Sequence, residues 1–267
     1  MAERTNEKPT TALTPLLAPR SIAVVGASPR PGSFGHNLYT NLRDSGFRGV
    51  LYPVNPNRRY IETVPAIPDL AHLPDARLDA GQVTQLLAYL ELLGRWNRTY
   101  NLTAIRDPAG MITRHLLDSL SILPWVSGPR LLDAGTGGGL PGVPLAIARP
   151  ELGVTLLDSS GKKVRFLNHL RRELSLPNVH PVQARLEEYE SGTEFDTIVS
   201  RAFASLAAFA EAARHLAGNA RLLAMKGRFP AAELDALPGW VQLHSVEKLE
   251  VPGLQEDRHL VIMSVNS

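Results

Sequence analysis

Cysteine is absent from all 267 residues, which excludes disulfide staples and thiolate metal sites. No uninterrupted apolar run approaches the roughly 20 residues that a helix needs to cross a bilayer. An excess of charge of one sign is also lacking: 28 Lys and Arg stand against 26 Asp and Glu, a formal net charge of +2. The molecule as a whole therefore carries no strong basic field, and any work on nucleic acid falls to a local patch. Residues 1–8 have no apolar stretch of the signal-peptide type, so a cytoplasmic location is expected. What remains, 44% hydrophobic and 20% charged, is the composition of a globular chain with one large domain or two small ones.

Glycine is concentrated at one point. Leu131-Leu132-Asp133-Ala134 leads into Gly135-Thr136-Gly137-Gly138-Gly139, and an apolar segment of helical spacing then runs from Leu140 to Ala148 before Pro150. This predicts a strand, a tight turn and a helix, the opening of a nucleotide-binding βαβ unit. Glycines there permit positive φ and close ligand approach, and the helix behind them presents free N–H groups. Such a turn needs an acid at the end of the next strand to take ribose hydroxyls. Val154-Thr155-Leu156-Leu157 reads as that strand, and Asp158 follows 23 positions after Gly135.

From the N-terminus, residues 1–18 are polar and are expected to be poorly ordered. Ser21-Ile22-Ala23-Val24-Val25 predicts a strand, residues 27–35 a second phosphate-type loop, residues 37–45 a helix and residues 49–56 another strand. Pro19-Arg20 with that first strand, Gly26-Ala27-Ser28, Gly32-Ser33-Phe34-Gly35, Asn41-Leu42 and Tyr52-Pro53-Val54-Asn55-Pro56 carry a likeness. They resemble the start of the CoA-binding domain of NDP-forming acyl-CoA synthetases and succinyl-CoA synthetase α subunits. The likeness runs on through Ile67-Pro68-Asp69-Leu70 and Leu73-Pro74 and then stops. It implies CoA or nucleotide contacts at Gly26, Ser28 and Ser33. Half such a unit lacks the crevice where ligands sit, so no CoA binding by residues 19–75 is expected. Two strands with their helices also bury too little to stand alone.

Beyond residue 79 the pattern becomes helical, with Val83, Leu86, Leu87, Leu90, Leu93 and Trp96 on a core-packing stripe. A second amphipathic segment, residues 111–123, carries Arg114, His115 and Asp118, and His115 reads as structural. After Asp158 a helix is expected whose cations, Lys162, Lys163, Arg165, Arg171 and Arg172, suit either a solvated face or phosphate contacts. Strands follow near residues 179–182, 195–200 and 220–225, the first succeeded by a helical step at 184–188. Residues 241–248 and 259–265, with no helix between them, predict an antiparallel hairpin. The expected fold is α/β: a mostly parallel seven-stranded sheet with an antiparallel C-terminal hairpin, Rossmann-like, in the layout of class I S-adenosylmethionine-dependent methyltransferases. A partial CoA-binding βαβ segment precedes it. The expected divisions are residues 1–18, 19–75, 76–130 (the helical part) and 131–267 (the cofactor-binding core).

Several further motifs accompany the glycine turn and Asp158. They are Arg95-Trp96-Asn97, Tyr100-Asn101-Leu102-Thr103, His115-Leu116-Leu117-Asp118-Ser119, Gly161-Lys162-Lys163-Val164-Arg165-Phe166-Leu167, Ser200-Arg201-Ala202-Phe203-Ala204, Lys226-Gly227 and Arg258-His259-Leu260. In order and over some 190 residues they resemble the small-subunit ribosomal RNA (guanine-N7) methyltransferase G family, also called glucose-inhibited division protein B. The resemblance implies methyl transfer from S-adenosyl-L-methionine to guanine N7 of 16S ribosomal RNA, free or in the small ribosomal subunit. It further implies that Gly135, Gly137 and Leu140 line the methionine and ribose region, that Asp158 takes the ribose hydroxyls and that Leu186 and Glu187 flank the adenine. Arg201 would face the methionine end or the target base. Arg114, Lys162, Lys163 and Arg165 would contact RNA. No metal and no acid/base pair are called for. Two alternatives have other sequence support: a nicotinamide-dependent oxidoreductase, from the glycine turn and Asp158, and an inactive or CoA-responsive fusion, from the front segment. The closing hairpin argues against the first.

Overall fold

The computed structural model describes residues 21–47, 50–58, 60–61, 64–66, 78–201, 203–251 and 254–266. The expectations placed on residues 1–20 and 67–77, among them the boundary at residue 75, lie outside this set.

The described residues open with β1 (Ser21–Val25), α1 (Phe34–Asp44) and β2 (Val50–Val54), with β2 parallel to β1. Helix α1 begins three residues earlier than its apolar spacing suggested, because Ser33 is its N-cap and its Oγ accepts from His36 N at 3.3 Å. Gly35 is required at this corner: a Cβ there would lie 1.8 Å from Gly26 O, so only glycine lets the helix backbone meet the end of β1. Two short strands, β3 (Tyr60–Ile61) and β4 (Val64–Pro65), pair antiparallel.

The long helix α2 (Ala80–Tyr100) starts at a capping box in which Asp79 and Gln82 satisfy each other's backbone N–H groups. It ends at Asn101, whose left-handed φ of 51° closes the last turn. Then come α3 (Pro108–Met111), a π-helical stretch (Ile112–Leu117) and α4 (Asp118–Leu120). The remainder alternates: β5 (Arg130–Ala134), α5 (Gly142–Ala148), β6 (Gly153–Asp158), α6 (Gly161–Glu173), β7 (Val179–Gln183), β8 (Thr197–Ser200), α7 (Leu206–Ala217), β9 (Arg221–Lys226), α8 (Ala231–Asp235), β10 (Val241–Lys248) and β11 (His259–Val265).

Seven strands form one sheet in the order β10-β11-β9-β8-β5-β6-β7. Five of them, β9, β8, β5, β6 and β7, are mutually parallel, and β11 and β10 join antiparallel beyond β9 at one edge, as the hairpin pattern required. Strand β5 lies between β6 and β8, so the chain leaves it in opposite directions and opens a switch-point crevice at its C-terminal end. One expectation fails. The step after β7 contains only a 3-10 turn, Leu186–Glu188, in place of a helix. The segment is cut short by the Ser191–Thr193 turn, too soon to offset the cost of a helix nucleus.

Successive residues of β5 serve opposite faces, as the period of a strand dictates. Leu131 packs into the layer shared with α2, α5 and α6, and Leu132 into the layer built on α7. Trp96 of α2 stacks on Tyr100 and packs against Phe166 and His169 of α6. Gln82 and Gln85 of α2 donate to Ile147 O, Ala148 O and Leu174 O, which satisfies carbonyls at the C-terminal ends of α5 and α6. The front segment solves its shortage of core by borrowing one. Val24, Leu38, Tyr39 and Ile61 are buried in the same cluster as Leu90, Met111 and Ile112.

Candidate active site

The crevice is organised by a carboxylate outside the set of expected site residues. Asp133, at the end of β5, is fully buried. Its Oδ2 accepts from Thr136 Oγ1 at 2.6 Å and from Gly142 N at 2.8 Å, tying the entry of the glycine turn to the first residue of α5. Its Oδ1 has no partner among the described residues. Burial pushes the Asp133 carboxyl up to about 6, against the pull of these two donors and of Arg201. The signal was an acid two residues before the first glycine, at a strand end where a polar side chain must be satisfied from the turn itself.

The turn bends as its glycines allow. Gly135, Gly137 and Gly139 have φ of 72°, 60° and 95°. Gly135 N and Thr136 N both donate to Leu157 O, so the turn is held over the end of β6. No atom lies within 4 Å of the position a Cβ would take on Gly137, which leaves its face open to a ligand. Gly142 is the opposite case: a Cβ would meet Leu156 Cδ2 at 2.3 Å and Asp133 Oδ2 at 2.7 Å. From α2, the buried hydroxyl of Tyr89 donates to Gly138 O at 3.0 Å and fixes the outer limb.

Asp158 stands at the end of β6 and is 5% exposed. Its Oδ2 accepts from Gly137 N at 3.0 Å, which joins the acid directly to the glycine turn. Its Oδ1 accepts from Ser160 N at 2.9 Å. Lys163 Nζ lies 3.0 Å from the same Oδ2. A carboxylate has about four acceptor positions, so these three donors leave room for one more.

The other expected residues fall into three groups. Leu186 is buried beside Ala134 and Leu157 at the strand ends, and Glu187, next to it on the 3-10 turn, is exposed. Leu140 is 5% exposed and packed in the core, so its side chain supports the turn from behind. Arg201, just past β8, donates through Nη1 to Asp118 Oδ2 at 3.1 Å and to Arg114 O at 3.3 Å. Arg258 donates to the other oxygen of Asp118, also at 3.1 Å. The buried Asp118 therefore clamps two guanidinium groups at the mouth. Burial raises its carboxyl above the ordinary value, and the two arginines oppose that rise. Asp118 and Arg258 were outside the expected site residues, because their partnership spans 140 positions of sequence. His115 beneath them is buried, shares a hydrogen bond with Thr103 Oγ1 at 2.8 Å and is pushed down by burial to about 4, so it is neutral and structural.

Of the four cations expected to meet RNA, two are otherwise engaged: Lys163 with Asp158, and Arg114 with Glu256. Lys162 and Arg165 are exposed on the first turns of α6, beside the crevice. Gly26, Ser28 and Ser33 of the front segment surround the N-terminus of α1 and are not part of this crevice. There Ser28 Oγ accepts from Arg30 N, and Ser33 caps the helix. Among the described residues no group of His, Asp or Glu is arranged to hold a metal ion, and no helix is long and apolar enough to cross a membrane.

Residues 82–261 match the family model described as rRNA small subunit methyltransferase G. Residues 20–90 match a CoA binding domain model. The ribosomal RNA small subunit methyltransferase G of Salmonella arizonae is 51% identical over 186 residues, covering 69% of this chain and 90% of that protein. The protein of the same name from Escherichia coli is 50% identical over the same shares. The solved structure of TrmN from Thermus thermophilus is matched with 20% identity over 55% of this chain and 47% of that one, with a TM-score of 0.42. A parallel sheet closed by an antiparallel hairpin, a glycine turn tied to acids at two strand ends, and half-identity along the core lead to one placement: the chain belongs to the rRNA small subunit methyltransferase G family.

Proposed function

We propose that this chain methylates N7 of a guanine in bacterial 16S ribosomal RNA, with S-adenosyl-L-methionine as donor. The observation that carries the proposal is the family match along residues 82–261, which includes every residue of the crevice described above. The residues present fit the donor. An unpartnered buried oxygen on Asp133, an open face at Gly137 and an acceptor position left on Asp158 lie around one turn. In this reading Asp158 holds ribose hydroxyls, Gly135 and Gly137 accept close approach, and Leu186 and Glu187 flank the adenine.

When bound, the donor supplies a methyl group already activated on a sulfonium. Guanine N7 offers a lone pair and no proton. Transfer of that methyl to N7 would leave the donor a neutral thioether and the base positively charged. No proton is transferred, so the chain needs no general base and acts by alignment. Asp133 and Tyr89 hold the turn that sets the donor side. Asp118 holds Arg201 and Arg258 at the mouth, where Arg201 faces the methionine end or the incoming base. Lys162 and Arg165 meet phosphates of the RNA, and Arg114 and Lys163 join them by exchanging their carboxylate partners for phosphate. The methyltransferase occupies residues 76–267 and works in the cytoplasm. Methyl transfer from labelled donor to small-subunit RNA, followed by mapping of the product, tests the whole. A single N7-methylguanine is expected; label on another atom, or none with either naked RNA or the assembled subunit, overturns it.

A further inference from the structure

Where the front segment meets the methyltransferase, the two line a solvent-open cavity of about 620 Å³. Phe34, the first residue of α1, forms one wall. Leu90 of α2 and Met111 of α3, both buried, contribute apolar surface from the other side. Arg95, Arg98 and Arg106 line the same space. Arg95 and Arg98 lie on α2 three residues apart, hence on neighbouring positions of one face, and Arg106 comes from the loop that follows. One carboxylate, Glu91, is also in the lining, so the cavity carries a net positive charge.

The guanidinium groups have little else to do. Among the described residues none of the three makes an ion pair, and Arg106 has a single long contact, Nη2 to Asn101 Oδ1 at 3.4 Å. Three exposed cations gathered on one apolar-walled space repel one another, and nothing in the packing of α2 requires them. Planar, five-donor guanidinium groups suit phosphate oxygens, and an aromatic wall suits a planar ring. The volume lies in the range of pockets that take small ligands and cofactors, about 300–1,000 Å³.

We propose that this junction cavity binds a phosphorylated small molecule of the nucleotide class, its phosphates on Arg95, Arg98 and Arg106 and its planar group against Phe34. The site is composite. The front segment alone supplies no arginine to it, and the methyltransferase alone supplies no aromatic wall. It is also separate from the methyl-donor crevice: none of its lining residues is among those that hold the glycine turn, Asp133 or Asp158.

The test is calorimetric titration of the full chain, first saturated with S-adenosylhomocysteine so that the donor crevice is closed to competing nucleotides. The probes are ATP, coenzyme A, inorganic phosphate and a short single-stranded RNA. ATP or coenzyme A is expected to bind at one equivalent, with inorganic phosphate at least about 10-fold weaker because it has no ring to place on Phe34. In the Arg95→Glu/Arg98→Glu variant the nucleotide affinity should fall by about 100-fold, the sum of two lost charge-assisted contacts. Phe34→Ala should weaken the nucleotide by about 10-fold and leave phosphate unchanged. S-adenosylhomocysteine affinity within twofold of the parent shows that each variant is folded. No binding of ATP or coenzyme A at millimolar concentration overturns the proposal, as does binding that survives the double substitution. RNA that depends on the same arginines while nucleotides do not bind overturns it too, and assigns the patch to RNA. None of these outcomes bears on methyl transfer, which is read separately.

Discussion

Replacing Asp133 by Asn removes a carboxyl that burial has pushed from 3.8 up to about 6, and the consequence is a change in how stability depends on pH. A group whose pKa is raised by folding binds more protons in the folded state, so its stabilisation is complete below pH 3.8 and is lost as the pH rises through 6. At about 1.4 kcal/mol per unit, a rise of about 2 units amounts to about 3 kcal/mol across that window. His115 has the opposite slope. Burial lowers it from 6.5 to about 4, so the folded state binds fewer protons there, and stability is lost as the pH falls from 6.5 towards 4. The loss is again about 3 kcal/mol. The two effects nearly cancel in the parent, which should show little net pH dependence from this pair. In Asp133→Asn the histidine slope stands alone: unfolding free energy should rise by about 3 kcal/mol between pH 4 and pH 7 relative to the parent. Urea unfolding at pH 4, 5, 6 and 7, followed by the fluorescence of the three tryptophans, measures it. Pairwise differences cancel the other carboxylates and the pH-independent cost of altering the Thr136 and Gly142 bonds. Parallel profiles for the two proteins would refute the assignment of a raised carboxyl at the head of the glycine turn.

Gly142→Ala drives a methyl group into Leu156 and Asp133, and overpacking of that kind should cost about 1–3 kcal/mol in urea unfolding and weaken S-adenosylhomocysteine in calorimetry. Asp158→Ala removes the acid joined to Gly137 N and should weaken the same ligand by about 100-fold; an affinity within threefold of the parent would remove Asp158 from the ribose site. Asp118→Ala strands Arg201 and Arg258, and because both guanidinium groups reach solvent the expected loss is about 2 kcal/mol, below the roughly 3–5 kcal/mol of a fully buried broken pair, with a larger fall in turnover than in donor affinity. Lys162→Glu/Arg165→Glu should raise KM for RNA, flatten its salt dependence and leave donor affinity alone; an unchanged salt slope would make α6 an ordinary solvated face.

Much of the core was legible because each signal is local. A run such as Val154 to Leu157 needs only its own period to be a strand, and the glycines at 135, 137 and 139 declare a turn that L side chains resist. The spacing to Asp158 placed an acid that does meet Gly137 N. The hairpin at 241–248 and 259–265 was readable from the missing helix between its halves. The helical step at 184–188 was misjudged because a short Ala-Arg-Leu-Glu-Glu run has helix propensity but no length, and length decides nucleation. Asp118, Arg258 and Asp133 were not picked as site residues, since an ion pair across 140 positions, or the burial of one carboxyl, leaves no periodic trace.

The sequence by itself determined the order of strands and helices, the glycine bend, the acid that follows it and the family, because these depend on neighbours a few residues apart or on motifs kept in order. Tertiary structure alone decided which charges are committed and which are free. Lys163 faces Asp158 while Lys162, one residue away, faces solvent, and the difference is set by a helix's angular period against the end of a strand. It also decided the standing of the front segment. Two short strands cannot bury enough apolar surface to stand alone, and the packing of Val24, Leu38 and Tyr39 against Leu90 and Met111 supplies the surface they lack.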